Sequence, residues 1–535
     1  MRFFNTAGPV NCKDHYCLPP ISRLHLSEIL NLIGQKKYFV LHAPRQSGKT
    51  SCLLALRDYL NLEGQYYSVY VNVEAGQTAR GDVKRGIKAI ITQLAYEAEE
   101  TLKDRFLIEQ KNTIIEDSGE DVALAVILAR WCKQMDRPLV LLIDEIDALV
   151  GDTLISVLRQ LRSGYPQRPA SFPSTVILCG VRDVRDYRIH SDKEKMIITG
   201  GSAFNVKAES LRLGNFSAED IRTLCLQHTE ETGQIFFADA IETIWDLTSG
   251  QPWLVNALAY EITFKIEAGK NRKNPITGLM VEEAKENLIL RRETHLDQLA
   301  DKLKEERVRR VIEPVLMGEL YEGMLNSDDI EYVQDLGLIT QMSNGEIIIS
   351  NKIYQEIIPR QLSWESQSGM SIQQSWFVDV DGRLKISSLI ESFRQFFREN
   401  SEIWIERFQY KEAGPQILLQ AFLQRIINGG GRIDREYGLG RTRTDLLILW
   451  RLKDGSFQRV IIELKILRKS REQTIIEGIV QTWKYADRCG ADEAHLIIFD
   501  RNPGKSWDEK IFQENRTYEG TAGKEVRFPI IIWGM

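Results

Sequence analysis

Four short, almost uninterrupted apolar runs punctuate the first part of the chain: Tyr38–Ala43, Tyr67–Val73, Pro138–Ile143 and Thr175–Gly180. Stretches of helical periodicity separate them. Strands covered on both faces read as continuously apolar, so this alternation predicts a parallel α/β sheet from Lys37 to about Leu213. From Ser217 to Lys265 the pattern turns helical, with Ser217 and Asp220 offering a capping box and Gly250 and Pro252 breaking the helices. Leu299 to Leu362 reads as charged helices, a short helix opening near Ser327, then a turn and strand at Asn344–Ser350. Trp364–Ser375 is polar without periodicity and predicts a linker. A helical region, Ile386–Ile427, then ends at Gly429, Gly430 and Gly431, which disfavour its continuation. Strand-like runs follow at Arg432–Gly438, Thr444–Trp450 and Arg459–Ile466, with Asp454 and Gly455 as a hairpin signal between the last two. A helix at Glu472–Arg488 and a strand at His495–Asp500 close an α-β-β-β-α-β order. The expected divisions are 1–213, 214–298, 299–362, a linker at 363–385, and 386–535.

Length agrees with that partition, because 535 residues exceed what one core sustains and suit three or four domains. No apolar stretch reaches the roughly 18–20 residues that a membrane helix needs. The first twenty residues lack the apolar core of a secretion signal, which makes the cytoplasm the expected compartment. Seven scattered cysteines fit reduced thiols better than a disulfide framework. Cys12, His15 and Cys17 lack a second ligand pair, so zinc is not expected. The net charge of −6 disfavours general polyanion binding. Locally the balance inverts: from Gly431 to Glu472 there are eleven basic and six acidic residues, a surface suited to phosphodiesters.

Two motifs carry nucleotide chemistry. Ala43-Pro44-Arg45-Gln46-Ser47-Gly48-Lys49-Thr50 follows the first strand and matches a phosphate-binding loop, with Ala43 replacing its first glycine. Such a loop requires backbone amides around an anion, a Lys on the phosphates and a hydroxyl on Mg²⁺, here Lys49 and Thr50. The third apolar run ends on Asp144 and Glu145, a spacing that fits a Mg²⁺ ligand followed by a base or water-positioning residue.

With both motifs at strand ends, the chain resembles AAA+-like P-loop ATPases and, in places, their signal-transducing STAND class. The resemblance implies ATP and Mg²⁺ as cofactors, with Thr50 and Asp144 on the metal. Arg182 looks like a sensor arginine after the fourth strand, and Gly250-Gln251-Pro252 is similar to the class's G-x-P motif. His15-Tyr16 is a candidate to lie against the base. Arg159 or Arg162 could act in trans, on a helix face that otherwise reads as solvated. Residues 299–362 resemble a winged helix, yet the helix at Ser327–Leu336 carries Asp328, Asp329, Glu331 and Asp335 with no Lys or Arg. Acids repel DNA phosphates, so this element reads as structural or regulatory.

In the last strand-rich segment Glu463 and Lys465 share one face of a strand amid isoleucines, and Asp445 begins the preceding strand. This resembles PD-(D/E)XK nucleases, and Gln481 and Tyr485 are similar to the Q-x-x-x-Y helix motif of RecB-like members. The resemblance implies that Asp445 and Glu463 hold Mg²⁺, that Lys465 orients or deprotonates water and that Gln481 assists, with Glu412 or Glu436 as a further acid. The expectation is an α/β P-loop parallel sheet with a helical lid and winged helix, joined to a restriction-endonuclease-like domain. Its expected activity is ATP-regulated cleavage of double-stranded DNA in antiphage or anti-plasmid defence, with homo-oligomerisation and a phage-derived trigger. A regulatory ATPase that only binds nucleic acid, or a repair nuclease, stays open.

Overall fold

The computed structural model describes residues 1–183, 188–191, 196–199, 203–291, 299, 301–317, 326–362, 377–407, 419, 422–423, 431–435, 446–467, 470–500, 502, 504–519 and 527–535. They form two compact units, one of Met1–Ile312 and Tyr321–Gln355 and the other of Glu313–Leu320 and Glu356–Met535.

The first unit is built on strands β1 (Tyr38–His42), β2 (Tyr67–Asn72), β3 (Leu139–Asp144), β4 (Thr175–Gly180) and β5 (Lys207–Arg212). They pair in the order β2-β3-β4-β1-β5, parallel throughout. Four of them are the four apolar runs. The fifth, KAESLR, has a half-exposed to exposed pattern and pairs only at the edge, so it carries no continuous apolar signal. Helices α1 (Leu26–Gly34) and α2 (Lys49–Glu63) cover one face through Ile29, Leu32, Leu53 and Leu56. The other face meets α3 (Val83–Leu102), α4 (Phe106–Ser118), α5 (Glu120–Gln134) and α6 (Gly151–Ser163) around the buried Trp131.

Beyond the sheet come α7 (Ala218–Thr232), α8 (Ala238–Thr248), α9 (Pro252–Tyr260) and α10 (Gly278–Arg291). The Ser217–Asp220 capping box is formed, and Gln251 caps α9 by accepting from the Leu254 N–H. The N-terminal segment packs on these helices. Phe3–Phe4 pairs in parallel with His15–Tyr16, Phe4 and Tyr16 are buried against His228, and Gln227 clamps both backbone polar groups of Cys17. Here the reduced-thiol expectation is corrected. Cys12 and Cys17 are joined in a disulfide, five positions apart, within that segment. The other five cysteines are free.

The last elements containing first-unit residues are α11 (Glu306–Met317), α12 (Ser327–Asp335), the antiparallel pair Ile339–Gln341 and Ile347–Ile349, and α13 (Lys352–Leu362).

The second unit holds a six-stranded mixed sheet: β6 (Gly431–Arg435), β7 (Leu446–Arg451), β8 (Phe457–Ile466), β9 (Glu493–Phe499), β10 (Phe512–Glu519) and β11 (Arg527–Gly534). Its order is β6-β7-β8-β9-β11-β10. β6, β7 and β8 form an antiparallel meander, and β9 and β11 continue in parallel from β8. Helix α14 (Ile386–Arg407) packs on one face through Leu389, Ile390 and Phe393, and α15 (Arg471–Cys489) on the other through Ile475 and Ile479. The α-β-β-β-α-β series is therefore present, extended by two strands. The β10 sequence, FQENRTYE, is an edge strand without an apolar run, whereas PIIIW in β11 was a readable signal. Trp364–Ser375, Glu412, Glu436, Arg441, Arg443 and Asp445 lie outside the described residues.

Candidate functional site

β1 delivers the chain to a loop that wraps into α2. Gln46 and Gly48 both take left-handed backbone angles, φ 57° and 88°, so the turn closes immediately before Lys49 begins the helix. Lys49 is 6% exposed and its Nζ donates to the Ala43 and Pro44 carbonyls, each at 2.9 Å. Ser47 Oγ donates to the Pro44 carbonyl at 2.7 Å, drawing the loop tight. Ala43 is buried in the apolar layer beneath α2, where a methyl group is accommodated.

Opposite the loop, Asp144 ends β3 and has no exposed surface. Burying a carboxylate requires partners, and it has them. Its Oδ2 accepts from Thr50 Oγ1 at 2.7 Å and from the Tyr70 hydroxyl at 3.0 Å, and its Oδ1 from the Glu145 N–H at 2.9 Å. Tyr70 was not anticipated. The available signal was a tyrosine inside a buried strand, whose hydroxyl needs a partner. Thr50 and Asp144 together present hard oxygen ligands beside the phosphate loop, the donor set that suits Mg²⁺ shared with phosphates.

Glu145 follows in a left-handed conformation, φ 57° and ψ 40°, which turns its side chain out of the strand line. Burial holds its carboxyl above the usual range, and the negative charges of Asp144 and Asp147 add to that, while Lys49 and Arg45 oppose it. Asp147 accepts the Val181 N–H at 3.0 Å and so ties this turn to the end of β4. One residue on, the Arg182 guanidinium lies 4.9 Å over the Tyr332 ring of α12. Arg159 and Arg162 are exposed on α6.

A cavity opens beside the loop, with Tyr16, Gln46, Gly48, Phe216, Pro252 and Trp253 among its walls. Pro252 thus meets the phosphate loop across one cavity, although 200 residues separate them in the chain. His15 turns its ring onto Phe3 at 4.7 Å and accepts from the Asn11 N–H. The Tyr16 hydroxyl bonds His228, and burial, with Glu231 second, pushes it up to about 12. Arg23, which the motifs do not mark, also lines this cavity.

In the second unit Glu463 lies on β8, 1% exposed, with Lys465 Nζ 2.8 Å from its Oε1. Both share the α15 face with Ile461, while Val460, Ile462 and Leu464 serve the opposite core. Glu463 is in register with Leu496 on β9. Gly478 of α15 packs on that Leu496, where a Cβ would come within 2.5 Å of a methyl, so the helix approaches the sheet closely beside Glu463. Gln481 is half-buried and Tyr485 buried along the same stripe of α15. Asp445, the intended partner of Glu463, is outside the described residues, and among those residues no three His, Cys, Asp or Glu side chains converge as metal ligands.

Residues 24–359 match the family model of the AAA-like domain. No curated protein matches the chain. Similar solved structures include a Walker-type ATPase of Pyrococcus abyssi, at 13% identity over 66% of this chain and 99% of that one, TM-score 0.46. Cdc6p from Pyrobaculum aerophilum is 17% identical over 65% of this chain and 95% of its own, TM-score 0.35. The Holliday junction branch migration motor RuvB of Thermotoga maritima is 14% identical over 62% and 93%, TM-score 0.32.

Proposed function

We propose that this chain, which belongs to the AAA-like domain family and is a P-loop ATPase, is an ATP-regulated, Mg²⁺-dependent DNA endonuclease. In this reading Lys49 holds the β- and γ-phosphates, Thr50 and Asp144 hold Mg²⁺, and Glu145 orients the attacking water. The metal supplies charge neutralisation at the phosphates. The protein supplies a prearranged carboxylate, three donors to it, and a lysine that has only to leave two carbonyls for the phosphate oxygens. Pro252 closes the nucleotide from the lid side, and Arg182 reports its state toward α12, as in STAND-like switches.

The nuclease half rests on one observation, the Glu463–Lys465 pair. An ionised pair on a strand lined by isoleucines is costly to bury, and 2.8 Å contact with a 1%-exposed carboxylate is an expensive arrangement for a surface decoration. Were Glu463 and Asp445 to hold Mg²⁺, the metal would activate a water for Lys465 to orient with help from Gln481, and the pair would have a purpose. The basic excess from Gly431 to Glu472 supports a polyanionic, double-stranded DNA substrate. By analogy with defence effectors that join a switch ATPase to a nuclease, the trigger is phage-derived, and ATP-bound copies associate in the cytoplasm. The test is plasmid cleavage with Mg²⁺, with and without ATP. Glu463→Gln should abolish cutting and leave ATP hydrolysis intact. Cutting that survives Glu463→Gln removes the nuclease assignment.

A further inference from the structure

Arg23 belongs to neither motif and stands one residue outside the segment matched to the AAA-like family. Its surroundings are nevertheless specific. Nη1 donates to the Ser47 carbonyl at 2.6 Å and Nη2 to the Gly214 carbonyl at 2.8 Å. The guanidinium carbon lies 4.8 Å over the Phe216 ring. It sits so close to the loop that a Cβ on Gly48 would meet Nη1 at 2.6 Å. Thus one rigid fork joins the phosphate loop to the segment leading into α7.

The geometry has a directional consequence. In a trans peptide the carbonyl and the following N–H point in opposite directions. Because Arg23 holds the Ser47 carbonyl, the Gly48 N–H points away from Arg23. We propose that Arg23 is a positioning residue for the nucleotide phosphates, presetting the Ser47–Gly48 peptide for the anion and tying that peptide to the lid through Gly214 and Phe216. Nucleotide entry then stiffens the lid junction without a new contact to the base. Arginine suits this role because its planar fork spans two carbonyls, which a lysine ammonium on a flexible stem does not fix together. Its lowered pKa, caused first by burial, reflects how far the group has been drawn from water, and it remains charged throughout the ordinary pH range.

The test uses the full chain as wild type, Arg23→Ala and Arg23→Lys. Binding of MgADP and of adenosine is measured by displacement of a fluorescent ADP, and amide exchange is followed across residues 214–232. In Arg23→Ala, MgADP affinity should fall about tenfold or more, the worth of a charge-assisted hydrogen bond. Adenosine affinity should stay at the wild-type value, because no phosphate is present to use the preset peptide. Arg23→Lys should recover most of the MgADP affinity while losing the slowing of exchange that MgADP brings to 214–232. If ADP and adenosine weaken together, Arg23 is merely a cavity wall and the proposal fails. It fails equally if neither weakens. Should Arg23→Ala not fold, the lysine variant decides: wild-type protection of 214–232 by MgADP in that variant overturns the link to the lid.

Discussion

Removing the Tyr70 hydroxyl isolates what the buried carboxylate of Asp144 needs. In Tyr70→Phe the ring remains in the apolar layer formed with Leu41, Val140 and Leu142, so neither a cavity nor a clash accompanies the change. Asp144 keeps Thr50 at 2.7 Å and the Glu145 N–H at 2.9 Å and loses only the donor at 3.0 Å. A hydrogen bond to a charged group contributes about 1.5–3 kcal/mol. With two shorter donors retained, the lower end applies, about 1.5 kcal/mol, or roughly tenfold in an equilibrium that depends on that carboxylate. The assay is Mg²⁺ titration of the ADP complex, together with the Mg²⁺ concentration that half-activates ATP hydrolysis. Both midpoints should rise by up to about tenfold, while ADP binding in EDTA stays at its wild-type value. Unchanged Mg²⁺ midpoints would refute the reasoning, for Tyr70 would then only fill space. Equal loss of ADP affinity with and without Mg²⁺ would refute it too, by pointing to a distorted loop.

Glu145→Gln should bind ATP yet hydrolyse it at least 100-fold more slowly, roughly the scale of a positioned acid–base group. In wild type the rate should fall with acid above the ordinary carboxylate range, because the raised Glu145 carboxyl takes up its proton early, and single-turnover rates against pH should show that limb vanish in the glutamine variant. For stability the sign is opposite: a carboxyl raised by folding favours the folded chain at low pH and loses that contribution as pH rises through its folded value, so Glu145→Gln should not destabilise the chain at neutral pH in a thermal melt. Cys12→Ser, or reduction of wild type, should cost about 2 kcal/mol by the loop-entropy relation and raise amide exchange in the first twenty residues. Gly478→Val should cost about 1–3 kcal/mol by overpacking Leu496, as followed by unfolding of the second unit, and under the proposed nuclease reading it should lower plasmid nicking while ATP hydrolysis is retained.

The nucleotide half was legible because its signals are local. A buried strand, a Gly-Lys-Thr soon after it and a second strand ending in Asp-Glu are contiguous patterns, and Thr50 in the first turn of α2 meets Asp144 at the end of β3. Arg23, Tyr70 and Asp147 were not legible, since their hydrogen-bond partners lie 24 to 191 residues away and none stands in a spaced pattern. The polar strand β5 escaped for a different reason: an edge position buries too little to demand apolar residues. The short Cys12-to-Cys17 spacing was visible, but spacing alone says nothing of whether two thiols face each other, and here the parallel pairing of Phe3–Phe4 with His15–Tyr16 folds the intervening loop back. On β8 the alternation of Glu463 and Lys465 with isoleucine was readable, whereas the close approach of α15 depended on Gly478 meeting Leu496 of the neighbouring β9.

The acidity of α12, which argued against a DNA-reading role, has a physical explanation in the same unit. Asp329 accepts from Arg307 at 3.1 Å and Asp335 lies 3.4 Å from His42 at the end of β1. Tyr332 donates to Glu305 at 2.6 Å while the guanidinium carbons of Arg307 and Arg182 lie 3.8 and 4.9 Å from its ring centre. Asp329 thus faces an arginine of its own unit and Asp335 packs beside the end of β1, so two of the four acids of α12 are engaged within the unit. Immediately after the helix, Gly337 takes φ 77° against Pro44, and a side chain there would come within 2.6 Å of the proline ring. Pro44 is a residue of the phosphate loop, and its carbonyl is one of the two that hold Lys49. Pro44 of the loop and Arg182 after β4 thus both stand next to α12 or the turn that follows it, so the helix lies against the nucleotide side of its own unit.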